Sequence, residues 1–129
     1  MSVIGIGTDI IEVARIGDMI EKHDEIFLRR VFTTGEIEYC AARKSAMQHY
    51  AGRWAAKEAG LKALGTGWSK GIQWTDLEVV NQMGGKPDLK IHGAAATIAE
   101  EMGIREMQIS ISHCRSFAVA YVIALGEQG

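Results

Sequence analysis

Within the stretch Arg53-Trp54-Ala55-Ala56-Lys57-Glu58-Ala59-Gly60-Leu61-Lys62-Ala63-Leu64, a carboxylate and an amine stand four residues apart. At helical spacing Glu58 and Lys62 are one turn apart, so their side chains are neighbours on the helix surface. Trp54 and Leu61 flank them on one side. Ala56, Ala59, Gly60 and Ala63 form a face of small residues on the other, and such a face lets a second backbone approach closely. An acid and an amine held between a packed aromatic and a close neighbour lose part of their hydration. The competing reading is an exposed i,i+4 ion pair worth about 0.3–0.5 kcal/mol, and spacing alone favours it. A second acid comes from the start of the chain. Val3 to Thr8 is apolar and β-branched, broken by Gly5 and Gly7, and reads as a buried strand with Asp9 at or near its end. An acid in that position is either a turn former, the commoner case, or a ligand carried on a rigid strand.

The elements that must position these groups follow from periodicity and capping. Ile16, Met19 and Ile20 give a helical stripe, with Arg15 and Lys22 a heptad apart on the outer face. Phe27 to Phe32 continues a helix or makes a turn. Thr33-Thr34-Gly35-Glu36 has the form of a capping box and opens a short helix with Ile37, Tyr39 and Cys40. Ser45-Ala46-Met47-Gln48 repeats the box and opens a long helix from Ala46 to Leu64, stopped by Gly65. Gly65-Thr66-Gly67-Trp68-Ser69-Lys70-Gly71 is a loop rich in backbone N–H groups. It follows a helix and lacks the G-K-[ST] ending, so it is neither a dinucleotide fingerprint nor a P-loop. Trp74 to Val80 reads as a strand, Asn81 to Pro87 as a turn, and Leu89 with Ile91 as a second strand. Ala94 to Met102 is an alanine-rich helix closed by Gly103, and Met107–His113 with Phe117–Leu125 forms a hairpin. The order implies an α+β fold with a long helix packed on a mostly antiparallel sheet.

Composition bounds the function classes. At 129 residues one domain is expected, spanning 1–129, and 47% hydrophobic residues suffice for its core. With 14 basic against 16 acidic residues there is no global field to recruit nucleic acid. Cys40 and Cys114 are far apart, which excludes a disulfide framework or zinc cluster and fits a reducing cytosol. The first residues lack a basic region typical of a signal peptide, and the longest apolar run, Phe117 to Leu125, is too short to span a bilayer. The expectation is a soluble cytoplasmic protein with no nucleic-acid or membrane partner.

Taken together, Gly5-Ile6-Gly7-Thr8-Asp9 with Arg15, Arg53 to Leu64, and Ser110-Ile111-Ser112-His113 with Ala118 and Ala120 form one pattern. It resembles the holo-[acyl-carrier-protein] synthases, the small bacterial 4′-phosphopantetheinyl transferases, nearly end to end, including Phe32-Thr33…Glu36 and Gly85-Lys86-Pro87. Trp54 stands where that family more often has Phe, and Leu61 and Trp68 are also local choices. The resemblance implies a 4′-phosphopantetheinyl transferase-like fold. It also implies transfer of phosphopantetheine from coenzyme A to a serine of an apo-acyl-carrier protein, releasing adenosine 3′,5′-bisphosphate. Asp9 and Glu58 are then the ligands of Mg²⁺, with Lys62 beside them as a point charge on the transferred phosphate. Arg53 and His113 are expected at the 3′-phosphate of coenzyme A, with Lys44 as a further candidate. The Gly65, Thr66 and Gly67 backbone is expected to cradle phosphates as a nest, and Gly85, Lys86 and Pro87 to lie near the adenine. The carrier protein is expected on Arg15 and Lys22, and Arg29 and Arg30 extend that basic patch. Family members are commonly trimers with sites between subunits. The general base stays open between Glu36 acting through water, a metal-bound water and a substrate phosphate. Two other classes remain in view: a non-catalytic module that docks carrier proteins, and a small Mg²⁺-dependent pyrophosphohydrolase, which usually carries a denser acid cluster.

Overall fold

The computed structural model describes residues 1–127, so the last two residues of the expected 1–129 span lie outside the described part. In chain order the elements are strand β1 (Ser2–Glu12) and helices α1 (Val13–Val31), α2 (Thr34–Ala41) and α3 (Ala46–Leu64). A 3-10 turn at Trp74–Asp76 follows, then strands β2 (Leu77–Asn81) and β3 (Pro87–Ile91), helix α4 (Gly93–Glu101), and the hairpin β4 (Ile104–His113) and β5 (Phe117–Gly126). This is the expected α+β class, but the one sheet foreseen is two: an antiparallel β1-β5-β4 sheet and a separate β2-β3 hairpin. Helix α3 packs on all three strands of the larger sheet, and also on α1, α2 and β2. Among the described residues, no helix is long and apolar enough to cross a membrane.

Helix α3 has the boundaries its sequence implies, and Gly65 ends it in the left-handed conformation at φ 77°, donating its N–H to Leu61 O and Lys62 O. Because α3 is covered on several sides, its buried positions form no single stripe. Its small residues serve different neighbours. A Cβ on Gly7 would lie 1.9 Å from Ala59 O, and one on Gly5 2.1 Å from Ala63 O, so β1 lies directly against the helix backbone. A Cβ on Gly60 would instead meet Leu89 Cδ2 at 3.2 Å, on the side of the small hairpin.

Side chains alternate along a strand. Gly5, Gly7, Asp9 and Ile11 therefore share one face of β1, and that face is turned to α3, with Ile11 buried and both glycines against the helix backbone. Asp9, expected at or near the strand end, lies inside the strand: β1 continues to Glu12, and Asp9 pairs in register with Ala120. Ile6 and Ile10 point the other way and are exposed, as are Phe117, Tyr121 and Ile123 on β5.

Three local readings resolve differently from one another. The Thr33 capping box is present: Thr33 Oγ1 accepts the Glu36 N–H at 3.2 Å and Glu36 Oε1 accepts the Thr33 N–H at 2.9 Å. The Ser45 box is absent, because Ser45 caps nothing with its side chain and Gln48 turns instead to His113. The strand expected from Trp74 begins only at Leu77. Asp76 accepts the Gln73 N–H at 3.2 Å and donates its own N–H to Gln73 O at 3.0 Å, which curls the backbone first.

Local spacing does not reveal what lies under α2. Glu36 and Lys57 are buried together, with Lys57 Nζ 2.8 Å from Glu36 Oε1. Glu36 Oε2 accepts the Val79 N–H at 2.8 Å, and Lys57 donates to Trp74 O and Leu77 O. Burial lowers the Lys57 pKa, against the counter-pull of Glu36. This pair ties α2, α3 and β2 into one core, and it leaves Glu36 enclosed and fully engaged.

Candidate active site

The second carboxylate meets the first because β1 lies against the turn of α3 that carries Glu58 and Lys62. Lys62 Nζ donates to Thr8 O at 2.8 Å and to Asp9 Oδ1 at 3.3 Å, crossing from helix to strand. Burial raises the Asp9 pKa, and Lys62 and then Arg15 hold it back. Burial also raises the Glu58 pKa; the indole N–H of Trp68 and the charge of Lys62 oppose the rise, and the Asp9 charge adds to it. Two half-buried acids whose charges repel, beside an exposed amine, make a place where a bound cation relieves unfavourable charge. A cavity of about 400 Å³ opens over Glu58, Leu61, Lys62, Gly65, Gly67 and Trp68.

A second cluster lies further back on α3. A cavity of about 180 Å³ is lined by Tyr39, His49, Gly52, Arg53, Asn81, Gly85, Pro87, Ile111 and His113. Arg53 is buried and donates from Nη2 to Asn81 Oδ1 at 2.5 Å, while its Nε has no partner among the described residues. A buried guanidinium N–H without an acceptor is costly, and the residue that carries it lines the cavity. His113 Nδ1 is 2.8 Å from Gln48 Oε1; because that oxygen accepts, Nε2 is left for a ligand. The His49 ring lies 5.0 Å from that of His113. Burial, then His113 and the Arg53 and Arg43 charges, push His49 below the ordinary imidazole range. Burial drives Cys40 up to about 12, so it is an inert core thiol.

The expected residues therefore separate into two places. Asp9, Glu58 and Lys62 come together, and Arg53, His113, Gly85 and Pro87 come together. Lys44 and Lys86 are exposed and line neither cavity. The expected nest loses Gly65, whose N–H closes the helix; among the described residues the Thr66 and Gly67 N–H groups have no protein partner. Arg15 and Lys22 are exposed on α1, whose axis kinks at Asp24. Arg29 is paired with Glu25 at 3.2 Å, which weakens its part in a basic patch. Sequence reading missed His49, Asn81 and Trp68. His49 was within reach, since it stands four residues before Arg53 on the same helix face. Asn81 and Trp68 join only through tertiary packing.

With that geometry in hand, the comparisons with known proteins are specific. The family model described as the 4′-phosphopantetheinyl transferase superfamily matches residues 5–122, and the chain belongs to that family. A holo-[acyl-carrier-protein] synthase of Solibacter usitatus is 45% identical over 121 residues, covering 94% of this chain and 97% of that one. The crystal structure of the holo-[acyl-carrier-protein] synthase of Neisseria meningitidis superposes with TM-score 0.88 at 31% identity, over 96% of this chain and 99% of that chain. The synthase of Bacillus anthracis, solved in complex with CoA (3′,5′-ADP), matches with TM-score 0.79 at 38% identity, over 97% of this chain and 98% of that chain. Within the superfamily, the kinship is thus with the holo-[acyl-carrier-protein] synthases over nearly the whole length.

Proposed function

We propose that Asp9, Glu58 and Lys62 form the transfer centre of this chain, and that Arg53 and His113 hold the 3′-phosphate end of coenzyme A. The protein is a holo-[acyl-carrier-protein] synthase: it transfers 4′-phosphopantetheine from coenzyme A to acyl-carrier protein. In the full reading the acceptor is a serine of the apo-carrier, and the products are holo-carrier and adenosine 3′,5′-bisphosphate. The observation that carries the site is the convergence of Asp9 and Glu58 beside Lys62.

The donor set fits Mg²⁺. Two carboxylates whose pKa values burial raises gain from a cation, and both offer hard oxygens. Among the described residues no cluster of three or more metal-binding side chains exists. Mg²⁺ is typically held by one or two carboxylates, with phosphate oxygens and waters completing its shell. When bound, Mg²⁺ supplies neutralisation of charge on the phosphate oxygens at the scissile bond. Lys62 reaches across to Asp9, and we assign its ammonium as the point charge on the transferred phosphate. Glu36 is buried and committed on both oxygens, which leaves a substrate phosphate or a water as the acceptor of the serine proton.

Arg53 and Glu58 are five residues apart on one helix, about 7.5 Å along it and about 140° around it. The two half-sites thus face different directions on one protomer. That divergence supports sites completed between subunits, and the apolar sheet face of Ile6, Ile10, Phe117, Tyr121 and Ile123 gives a homotrimer a surface to bury. Sedimentation at micromolar concentration tests the trimer. Residues 1–129 act as one transferase domain, and two unpaired cysteines suit a cytoplasmic location.

Mass spectrometry of an apo-acyl-carrier protein incubated with the enzyme, coenzyme A and Mg²⁺ tests the reaction. A gain of the phosphopantetheine mass is expected, and hydrolysis of coenzyme A without carrier modification would favour a pyrophosphohydrolase instead. Coenzyme A recognition has its own test. The native enzyme should prefer coenzyme A to dephospho-coenzyme A by about ten- to a hundredfold in kcat/KM, from one or two charge-assisted hydrogen bonds. In Arg53→Ala that preference should shrink toward unity; an unchanged ratio would place the phosphate elsewhere.

Carrier docking depends on local charge, because the chain's net charge of −2 attracts no acidic partner globally. Arg15 acts on Asp9 from the first turn of α1, and Lys22 follows a heptad later. Arg15→Glu should raise the KM for carrier protein about tenfold or more and leave that for coenzyme A within twofold. Added salt should narrow the gap by screening. Equal carrier KM values at low salt would remove Arg15 from the docking surface.

A further inference from the structure

Trp68 makes a contact that no part of the transfer chemistry above uses. Its indole Nε1 donates to Glu58 Oε1 at 3.3 Å. The ring is held from behind: its centroid lies 3.9 Å from that of Trp74, Trp74 lies 4.3 Å from Trp54, and Trp54 lies 6.0 Å from Phe27. Phe27 is 6% exposed and Trp68 37%, so an aromatic column runs from the core out to the acid. It contains all three tryptophans of the chain. An indole N–H only donates, and the Trp68 ring is backed by the tilted Trp74 ring and, behind it, the stacked Trp54, contacts that restrict its swing. The column therefore aims a single donor at a single carboxylate oxygen. Among the described residues, Glu58 Oε2 has no protein donor.

We infer that Trp68 is a positioning residue for Glu58, holding Oε1 so that Oε2 alone is presented to a cation. The inference rests on the two-carboxylate reading above. Its consequence is ion selectivity. Mg²⁺ and ions like it demand near-ideal octahedral geometry, for which a carboxylate offering one oxygen is suited. Ca²⁺ is larger, accepts more ligands and is often clamped by both oxygens of one carboxylate. An acid with one oxygen already engaged favours the first kind of ion over the second. Outer hydrogen bonds to a metal ligand commonly change affinity by about 10–100-fold.

Trp68→Phe keeps a ring in the column and removes only the donor. The measurement is the dissociation constant of Mn²⁺, an octahedral oxygen-binding ion, and of Ca²⁺. Both are titrated into the full-length protein with saturating coenzyme A and no carrier protein. Water-proton relaxation reads Mn²⁺ and calorimetry reads Ca²⁺, for the native protein, Trp68→Phe and Glu58→Gln. Trp68→Phe is expected to weaken Mn²⁺ about tenfold and to leave Ca²⁺ within twofold, with the unfolding midpoint moved by no more than a few degrees. A Mn²⁺ constant within twofold of native, or an equal loss for both ions, would overturn the inference even where Glu58→Gln abolishes binding. Native-like Mn²⁺ binding by Glu58→Gln would instead overturn the two-carboxylate reading, and the inference with it.

Discussion

Asp9→Asn and Glu58→Gln are each expected to lower transfer by about a thousandfold or more. Charge stabilisation by a bound cation contributes several kcal/mol at the transition state, and each 1.36 kcal/mol is a factor of ten in rate. Neither change should cost stability. Both acids have their folded pKa raised, chiefly by burial. A carboxyl raised in this way stabilises the fold while protonated, below the ordinary carboxylate pKa. That stabilisation is lost as pH rises through the folded value, so near neutrality each ionised acid is a net cost. In metal-free buffer at pH 7 the neutral isosteres should therefore melt at or slightly above the native temperature. Mg²⁺ should raise the native midpoint and leave both variants unmoved. Activity should also fall on acidification sooner than an ordinary carboxylate pair would dictate, since protonation competes with the cation. An Asp9→Asn enzyme with near-native turnover at limiting Mg²⁺ would remove the two-carboxylate centre.

Glu36→Ala is expected to do the reverse: to lose stability and keep chemistry. Removing it strands the Lys57 charge, which is buried with its Nζ 2.8 Å from Glu36 Oε1. Breaking a buried pair at one partner costs about 3–5 kcal/mol, which for a chain of this size lowers the unfolding midpoint by roughly 10–20 °C. The double variant Glu36→Ala with Lys57→Met should recover part of that loss, because it leaves no unpaired charge. At a temperature where Glu36→Ala is still folded, its kcat should stay within several-fold of native. General-base removal would instead cost about 10²–10⁴. A folded Glu36→Ala enzyme that had lost a hundredfold in kcat would restore the base role.

The sequence alone determined the elements whose cause is local. The Ala46–Leu64 helix, its Gly65 stop and the Thr33–Glu36 box depend on residues within a few positions of one another, and all three are present. The same holds for the β4–β5 hairpin, whose alternation can be read directly. The grouping of Asp9, Glu58 and Lys62 was legible for a different reason: Glu58 and Lys62 are one turn apart, and the family pattern supplied Asp9. Tertiary structure decided what local spacing leaves open. Whether Ser45 caps α3 depended on His113 taking Gln48, 65 residues away. That Lys57 and not Lys62 is the buried amine was settled by which side of α3 meets α2 and β2, and every turn of a helix wrapped on several sides looks alike in sequence. The depth of Asp9 in its strand came from β5 pairing through to Glu12. The column of three tryptophans ending on Glu58 came from residues 54, 68 and 74 meeting around one loop. A residue's type fixes the bonds it can make, but only the packed chain fixes which partner is within 3 Å, and that choice separates the acid enclosed in the core from the acids of the proposed transfer centre.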